Sequence, residues 1–225
     1  MQEKNSEFVY KLLDPVKLER VTENGKRLYV TDTGGKYPSV TTVLSYFSRK
    51  GIAQWRAKVG DEKANKISTQ AAGFGTAVHD IAEKYTLGTL NVREANPIAL
   101  DSFRKIQPYL DQNVDEIYGI ELQMYSHELK TAGTADLICR YDGKNTLLDF
   151  KTSRRRKSRD DIYTYFMQCA TYSVMVQELY GMEIDQAVIL MAVKDDDPIV
   201  FVEDIAPWIK MTRKFFQLYN EGKLG

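Results

Sequence analysis

The stretch LLDFKTS, residues 147–153, alternates apolar and charged side chains as a β-strand would. Successive side chains of a strand point to opposite faces, so Asp149 and Lys151 should share one face while Leu148 and Phe150 occupy the other. A carboxylate and an ammonium are therefore predicted to emerge side by side. Alone, such a pair is more often a surface ion pair than a catalytic group.

A second acid, Asp136, lies on the strand-like segment that precedes this one. Asp142 and Gly143 stand between the two segments and are typical of a tight hairpin turn. Because paired antiparallel strands place opposed Cα atoms within about 5.5 Å, Asp136 and Asp149 could converge. Mg²⁺ is commonly held by one or two carboxylates and can neutralise a phosphate and lower the pKa of a bound water. With Lys151 stabilising developing charge, this grouping suits phosphodiester cleavage.

His79 lies on a predicted helix that starts at about Gly75 and should place it at the edge of the core. An apolar stripe along this helix faces inward, and a polar row that includes His79 follows its flank. Imidazole is a good ligand for Mn²⁺ and similar ions, although a single histidine is more often structural. His127, the only other histidine, sits near a strand end without such neighbours.

Gln168 and Tyr172 are spaced i, i+4 on the helix that follows, with Tyr165 one turn before. An amide and an aromatic hydroxyl could hold a sugar-phosphate backbone or stack a base. Ordinary helix packing is the alternative, and for Tyr165 it is the favoured one. A run of cations should emerge at the mouth of the same site, either for salt-sensitive phosphate capture or as a solvated loop: Arg154, Arg155, Arg156, Lys157 and Arg159.

The elements that would position these residues divide the chain into a helix-rich first half and a strand-rich second half. We predict one domain over 1–225, with a helical part at about 38–112 and a core at about 113–225. The boundaries expected within it are a strand at 27–31, helices from 38 to about 87 interrupted at Gly51, Gly60 and 73–75, a helix at 97–112, three antiparallel strands from 116 to 153, a helix at 160–181, strands at 186–194 and 199–205, and a closing helix.

The amino-acid composition excludes several classes of protein. Lysine plus arginine and aspartate plus glutamate number 31 each, so any affinity for nucleic acid must be local. Two cysteines can form neither a disulfide framework nor a four-thiolate cluster. No apolar run is long enough to cross a bilayer and the start lacks a targeting signal, so we expect a soluble, unprocessed, cytoplasmic protein without membrane contacts.

Taken in order, five motifs resemble the RecB-like branch of the PD-(D/E)XK nucleases over roughly residues 38–181. An alanine at 135 replaces the proline that precedes the first acid of the family motif. The segment PSVTTVL, residues 38–44, further resembles small phage and mitochondrial genome-maintenance exonucleases, which select single-stranded DNA. The five motifs are FGTAVH (His79), IELQ (Glu121), GTADLI (Asp136), LLDFKTS (Asp149, Lys151) and QCATY (Gln168, Tyr172).

The resemblance implies an α/β fold with a central mixed β-sheet flanked by helices. It implies Mg²⁺ or Mn²⁺ as cofactor and no iron–sulfur cluster. It implies that a metal is bound by His79, Asp136, Asp149 and the main-chain carbonyl of Phe150, and that Asp136, Asp149 and Lys151 are catalytic. It gives Glu121 an outer acidic role. It implies DNA contacts by Gln168 and Tyr172, with Arg154 at the mouth of the site.

The residues and the resemblance together imply a metal-dependent DNA exonuclease acting on single strands or free ends in replication, recombination or repair. Its setting would be the cytoplasm of a bacterium or a phage-infected host cell. Helicase motifs are missing from the sequence, so a helicase or recombination partner would be a separate chain. Two alternatives stay open, namely a catalytically inactive nucleic-acid-binding module of the same fold and an endonuclease with the same chemistry.

Overall fold

The computed structural model describes residues 8–23 and 26–224. The strands are β1 Val9–Tyr10, β2 Leu18–Glu23, β3 Lys26–Thr31, β4 Lys36–Pro38, β5 Val114–Ser126, β6 Thr131–Tyr141, β7 Lys144–Ser153, β8 Gln186–Val193 and β9 Ile199–Asp204. The helices are α1 Val40–Leu44, α2 Arg49–Val59, α3 Asp61–Thr86, α4 Pro97–Asn113, α5 Tyr163–Tyr180 and α6 Ala206–Asn220. None of these helices is both long and apolar enough to cross a membrane.

A six-stranded sheet in the order β1-β5-β6-β7-β8-β9 forms the centre of the molecule. The β1–β5 and β7–β8 pairs are parallel and the others antiparallel, so the sheet is mixed. Helices α1, α5 and α6 bury one face, and α3 and α4 bury the other. The predicted fold, a central mixed sheet flanked by helices, is therefore confirmed.

The hairpin between β6 and β7 turns at Asp142 and Gly143, as predicted. Both residues have positive φ, 49° and 74°, which is the combination that a tight type I′ turn requires. Leu148 packs in the core under α3 and α4, whereas Leu147 packs under α5. The alternation expected for residues 147–151 is thus confirmed, and it leaves Asp149 and Lys151 on the α5 face.

Two of the three predicted helix breaks are wrong. Helix α2 continues through Gly51, and α3 continues through Gly73 and Gly75. A glycine inside a helix costs only about 1 kcal/mol relative to alanine, which a long helix absorbs. The chain does break at Gly60, whose φ of 85° is incompatible with a right-handed helix. The expected helices 97–112 and 160–181 match α4 and α5 closely, and Gly181 ends α5 in the left-handed conformation.

A second, antiparallel sheet of β2, β3 and β4 lies beside the first, where one strand was predicted. Its last strand is fastened to the main sheet by a 2.6 Å hydrogen bond between the Tyr37 hydroxyl and Nδ1 of His127. The hydroxyl of Thr131 also donates to the Pro38 carbonyl, at 3.0 Å. These contacts bring β4 and the start of α1 next to β6. Residues 1–7 lie outside the described range.

Helix α2 and the first half of α3, residues 49–73, form a helical arm. Ala64 is the one buried residue among these described positions, so the arm is solvated along its length. The arm carries six cations and two acids in a chain of zero net charge. They are Arg49, Lys50, Arg56, Lys58, Lys63 and Lys66, against Asp61 and Glu62.

Candidate functional site

Three carboxylates lie in a row across the centre of the main sheet. Glu121 of β5 and Asp136 of β6 are bracketed by ladder pairs on both sides. Asp136 faces Asp149 one position beyond Leu137↔Leu148, the last β6–β7 pair. Like charges directly opposite one another destabilise a sheet, so such a row requires cations around it.

Ligand atoms of His79, Glu121 and Asp136 all lie within 4.8 Å of one another, and they form the possible metal group found among the described residues. Nδ1 of His79 is 3.4 Å from Oδ2 of Asp136. Glu121, for which the resemblance implied only an outer acidic role, is thus a direct neighbour of His79 and Asp136. An imidazole nitrogen with carboxylate oxygens suits Mn²⁺, and carboxylates suit Mg²⁺.

Asp149 lies beside this group and forms an ion pair with Lys151. Its Oδ1 accepts a hydrogen bond from Nε2 of Gln168, at 3.2 Å. Its Oδ2 is buried and lies against the Lys151 ammonium. Three carboxylates thus share the charge of one ammonium and one imidazole, which favours the binding of a further cation. The residues present therefore fit a divalent metal ion.

The main chain of Phe150 reaches the site through its N–H, which donates to Oδ2 of Asp136 at 2.9 Å. The strand ladder between β6 and β7 stops at this point, and the Asp136 side chain takes up the freed donor. The ring of Phe150 packs edge-on against His79, with ring centroids 6.2 Å apart. The metal-ligand role expected of the Phe150 carbonyl stays a prediction.

The charges of the site support one another. Burial raises the pKa of Asp136, but the hydrogen bond and charge of His79, with Lys151 and the Phe150 N–H, outweigh it and hold that pKa below its usual value. Burial lowers the pKa of His79, and its contact with Asp136 reverses this and raises it. The Lys151 ammonium is buried, yet Asp149 and Asp136 raise its pKa, so it stays charged.

The other two acids hold their protons more firmly. Burial, reinforced by the charge of Asp136, outweighs Lys151 and raises the pKa of Asp149 to about 6. Burial and the charge of Asp136 raise the pKa of Glu121 to about 7. Both shifts reflect negative charge crowded into a partly desolvated space. A bound cation would relieve this crowding.

Glu121 also has an unusual backbone. Its φ of 45° lies in the left-handed region, which non-glycine residues seldom adopt. Such a conformation costs on the order of 1–3 kcal/mol and is often found at functional sites. The alternation of side chains along β5 is broken here, and this explains why the spacing of residues in the sequence did not place Glu121 among the ligands.

Two helices position the remaining side chains. In α3, Val78, Ile81 and Ala82 are buried against the sheet, which holds His79 at the core edge as predicted. In α5, Tyr172 packs against the main chain of Gly133 on β6. A Cβ at position 133 would lie 2.9 Å from the Tyr172 hydroxyl, so only glycine allows this approach.

A cleft of about 430 Å³ opens over this group. His79, Asp136, Lys151, Gln168 and Tyr172 line it. Sequence reasoning missed three further lining residues, Tyr29, Ser39 and Thr41. The last two lie in PSVTTVL, which carried a resemblance but no stated role, and Tyr29 gave no signal at all.

The predicted cationic run does not converge on this cleft. Arg154 lines a separate groove of about 560 Å³ between α3, α4 and the ends of β7 and β8. Arg156 pairs with Asp196 at 3.3 Å. Arg159 pairs with Glu203 and lies over the Trp208 ring. Lys157 is the member of the run that approaches the site, through Tyr165.

No protein-family model matches the chain, and no curated protein matches it. Among solved structures, it is similar to a candidate exonuclease from Eubacterium rectale, with 11% identity over 68% of this chain and 69% of that one and a TM-score of 0.41. It is also similar to SSO0001, with 14% identity over 80% and 75% of the two chains and a TM-score of 0.34. At these TM-scores the likeness carries no argument, and the chemistry rests on the residues above.

Proposed function

We propose that this protein is a divalent-metal-dependent nuclease that hydrolyses phosphodiester bonds in DNA. One observation carries the proposal: His79, Glu121 and Asp136 converge within 4.8 Å of one another, beside the buried Asp149 carboxylate and its Lys151 partner. Like charges gathered in a partly buried site are costly unless a cation balances them. A bound divalent ion would supply that balance.

His79, Glu121, Asp136 and Asp149 would hold Mg²⁺ or Mn²⁺. When bound, the ion supplies charge neutralisation at a phosphate and lowers the pKa of a water. Lys151 is kept protonated by its acidic neighbours and can donate to a phosphate oxygen as negative charge develops there. Gln168 holds the Asp149 carboxylate from the opposite side.

The substrate that this geometry favours is single-stranded DNA. The cleft has the volume of a pocket that encloses one small molecule, which suits an unpaired nucleotide better than a duplex. The helical arm supplies a local positive surface, although the whole chain has no net charge. Digestion from a free end, as an exonuclease, is the finer form of the proposal.

The experiment compares end-labelled linear single strands, circular single strands and duplexes, each with Mg²⁺, Mn²⁺ or chelator. We expect metal-dependent loss of the linear single strand and sparing of the circle. Asp136→Asn and Lys151→Met should abolish cleavage, while Asp80→Asn, an exposed acid next to His79, should retain it. Cleavage in chelator, or full activity of Asp136→Asn, would refute the proposal.

The same panel separates the alternatives. Cleavage of the circle would identify an endonuclease. DNA binding without cleavage in any metal would identify an inactive binding module. The latter is disfavoured because an idle site gains nothing from buried carboxylates whose desolvation is costly.

A further inference from the structure

Tyr165, one turn before Gln168 on α5, lies between two ammonium groups. Nζ of Lys151 is 5.0 Å from the centroid of its ring. Nζ of Lys157 is 5.1 Å from the same centroid and donates a 2.9 Å hydrogen bond to the hydroxyl. The tyrosine therefore touches the proposed catalytic cation on its ring and a second cation at its hydroxyl.

Lys151 needs such a contact because its ammonium sits on a flexible four-carbon chain. Asp149 attracts it from one side, and an acid alone would allow several rotamers to satisfy that attraction. The electron-rich face of an aromatic ring attracts a cation without competing for its protons as a carboxylate does. The ring thus fixes the ammonium while leaving N–H groups free for a phosphate.

The Tyr165 hydroxyl has a separate role. The contact with Lys157 ties Tyr165 to the loop that joins β7 to α5. This contact sets the ring orientation, since Tyr165 is only partly buried and the core does not enclose it on all sides. Packing alone would be served by any apolar side chain of similar size.

We propose that Tyr165 is a positioning residue for Lys151, acting through the face of its ring, and this rests on the proposed nuclease function. Lys151 reaches its working position between Asp149 and the ring. Lys157 orients the ring through the hydroxyl.

The kinetic test uses Tyr165→Leu, Tyr165→Phe and, as a matched control, Tyr163→Leu on the exposed side of the same helix. Tyr165→Leu should lower kcat on a short single strand about tenfold, which is what losing a cation–π contact of this kind implies, with KM changed less than twofold. Tyr165→Phe keeps the ring, so its kcat should lie within two- to threefold of the wild-type value. Tyr163→Leu should match the wild type.

The second test measures geometry and does not depend on activity. The Cε–Hε resonance of Lys151, assigned by its absence in Lys151→Arg, should be displaced upfield by the ring current. The displacement should persist in Tyr165→Phe and vanish in Tyr165→Leu. If the protein cleaves nothing, this measurement still decides whether the ring holds Lys151, so failure of the nuclease proposal is distinguishable from failure of this one.

Two results would overturn the inference. One is a Tyr165→Leu variant with unchanged kcat and an unchanged Lys151 resonance. The other is an equal loss of kcat in Tyr165→Phe and Tyr165→Leu, since that would assign the effect to the hydroxyl. If Tyr165→Leu does not fold, Tyr165→Met replaces it, because an unbranched side chain adapts to the same space.

Discussion

At the residue scale, the site carries more negative than positive charge. Glu121, Asp136 and Asp149 face the Lys151 ammonium and the His79 imidazole, whose pKa its contact with Asp136 raises. Asp136 stays ionised, while Asp149 and Glu121 titrate at about 6 and about 7. Near neutral pH, bound protons or a divalent ion balance the excess negative charge. The free energy of unfolding should therefore depend on both the pH and the divalent-ion concentration.

Without divalent ions, the free energy of unfolding should fall as the pH rises from 5 to 8. Asp149 and Glu121 have raised pKa values, so over this range the folded protein holds protons that the unfolded chain has already released. His79, whose pKa is also raised, acts in the same direction above its ordinary value. We expect a loss on the order of 2 kcal/mol, with the share of the partly exposed Glu121 reduced by solvent screening.

Urea denaturation in chelator at pH 5 and pH 8 measures this difference. In Glu121→Gln the side chain at position 121 cannot ionise, so the unfolding free energy should change less between pH 5 and pH 8. An unfolding free energy that increases over this range in the wild type would show that other groups dominate the linkage.

Divalent ions should restore the unfolding free energy that is lost at high pH. At pH 8, Mn²⁺ at a hundred times its dissociation constant should stabilise the fold by about 2.7 kcal/mol, since it binds only the folded protein. Thermal melting with increasing Mn²⁺ measures the rise in Tm. Asp136→Asn should lose this rise, and Asp80→Asn should keep it. Equal rises in both variants would place the ion elsewhere.

Much of the site could be predicted from the sequence at this scale. Alternation in LLDFKTS and the Asp142-Gly143 turn were enough to predict that Asp136 and Asp149 could converge. Glu121 could not be placed in this way, because its positive φ breaks the alternation. Tyr165 was assigned to packing, since a cation–π contact depends on a rotamer that helical spacing does not specify.

At the element scale, long periodic segments were predicted well and short ones poorly. Helix α4 begins at an Asn96 cap and has an apolar stripe, and α5 ends at Gly181 in the left-handed conformation, so local signals mark these limits. The small sheet has short strands stabilised by tertiary contacts such as Tyr37 with His127, which no local pattern reveals. Gly51 and the segment 73–75 were read as breaks, but an interior glycine costs only about 1 kcal/mol, too little to interrupt these helices.

Two glycines of the same chain should respond oppositely to alanine. Gly133→Ala places a Cβ 2.9 Å from the Tyr172 hydroxyl and 3.3 Å from Val40, so it should destabilise the fold by about 1–3 kcal/mol and lower activity. Gly73→Ala meets nothing within 4 Å in the middle of α3 and should stabilise by about 0.5–1 kcal/mol. Chemical denaturation of both variants measures the contrast. Equal stabilities would contradict it.

At the scale of the whole molecule, the absence of net charge makes the arm conspicuous. If the arm contacts DNA, Lys58→Glu with Lys63→Glu should weaken binding of single strands in chelator and reduce the slope of log affinity against log salt by roughly one to two. Fluorescence anisotropy at several salt concentrations measures both. The matched control, Lys210→Glu with Lys214→Glu on α6, makes the same charge change on another helix and should leave the slope unaltered.

Helix α3 is a single run of 26 residues, about 39 Å long. Its first half belongs to the arm and its second half carries His79 to the carboxylates, so one rod extends from the solvated surface to the ion site. If the arm binds a DNA strand and the carboxylates bind a metal ion, the two ligands contact opposite ends of one helix. Any increase in metal affinity that the strand causes must then be matched by an equal increase in strand affinity that the metal causes.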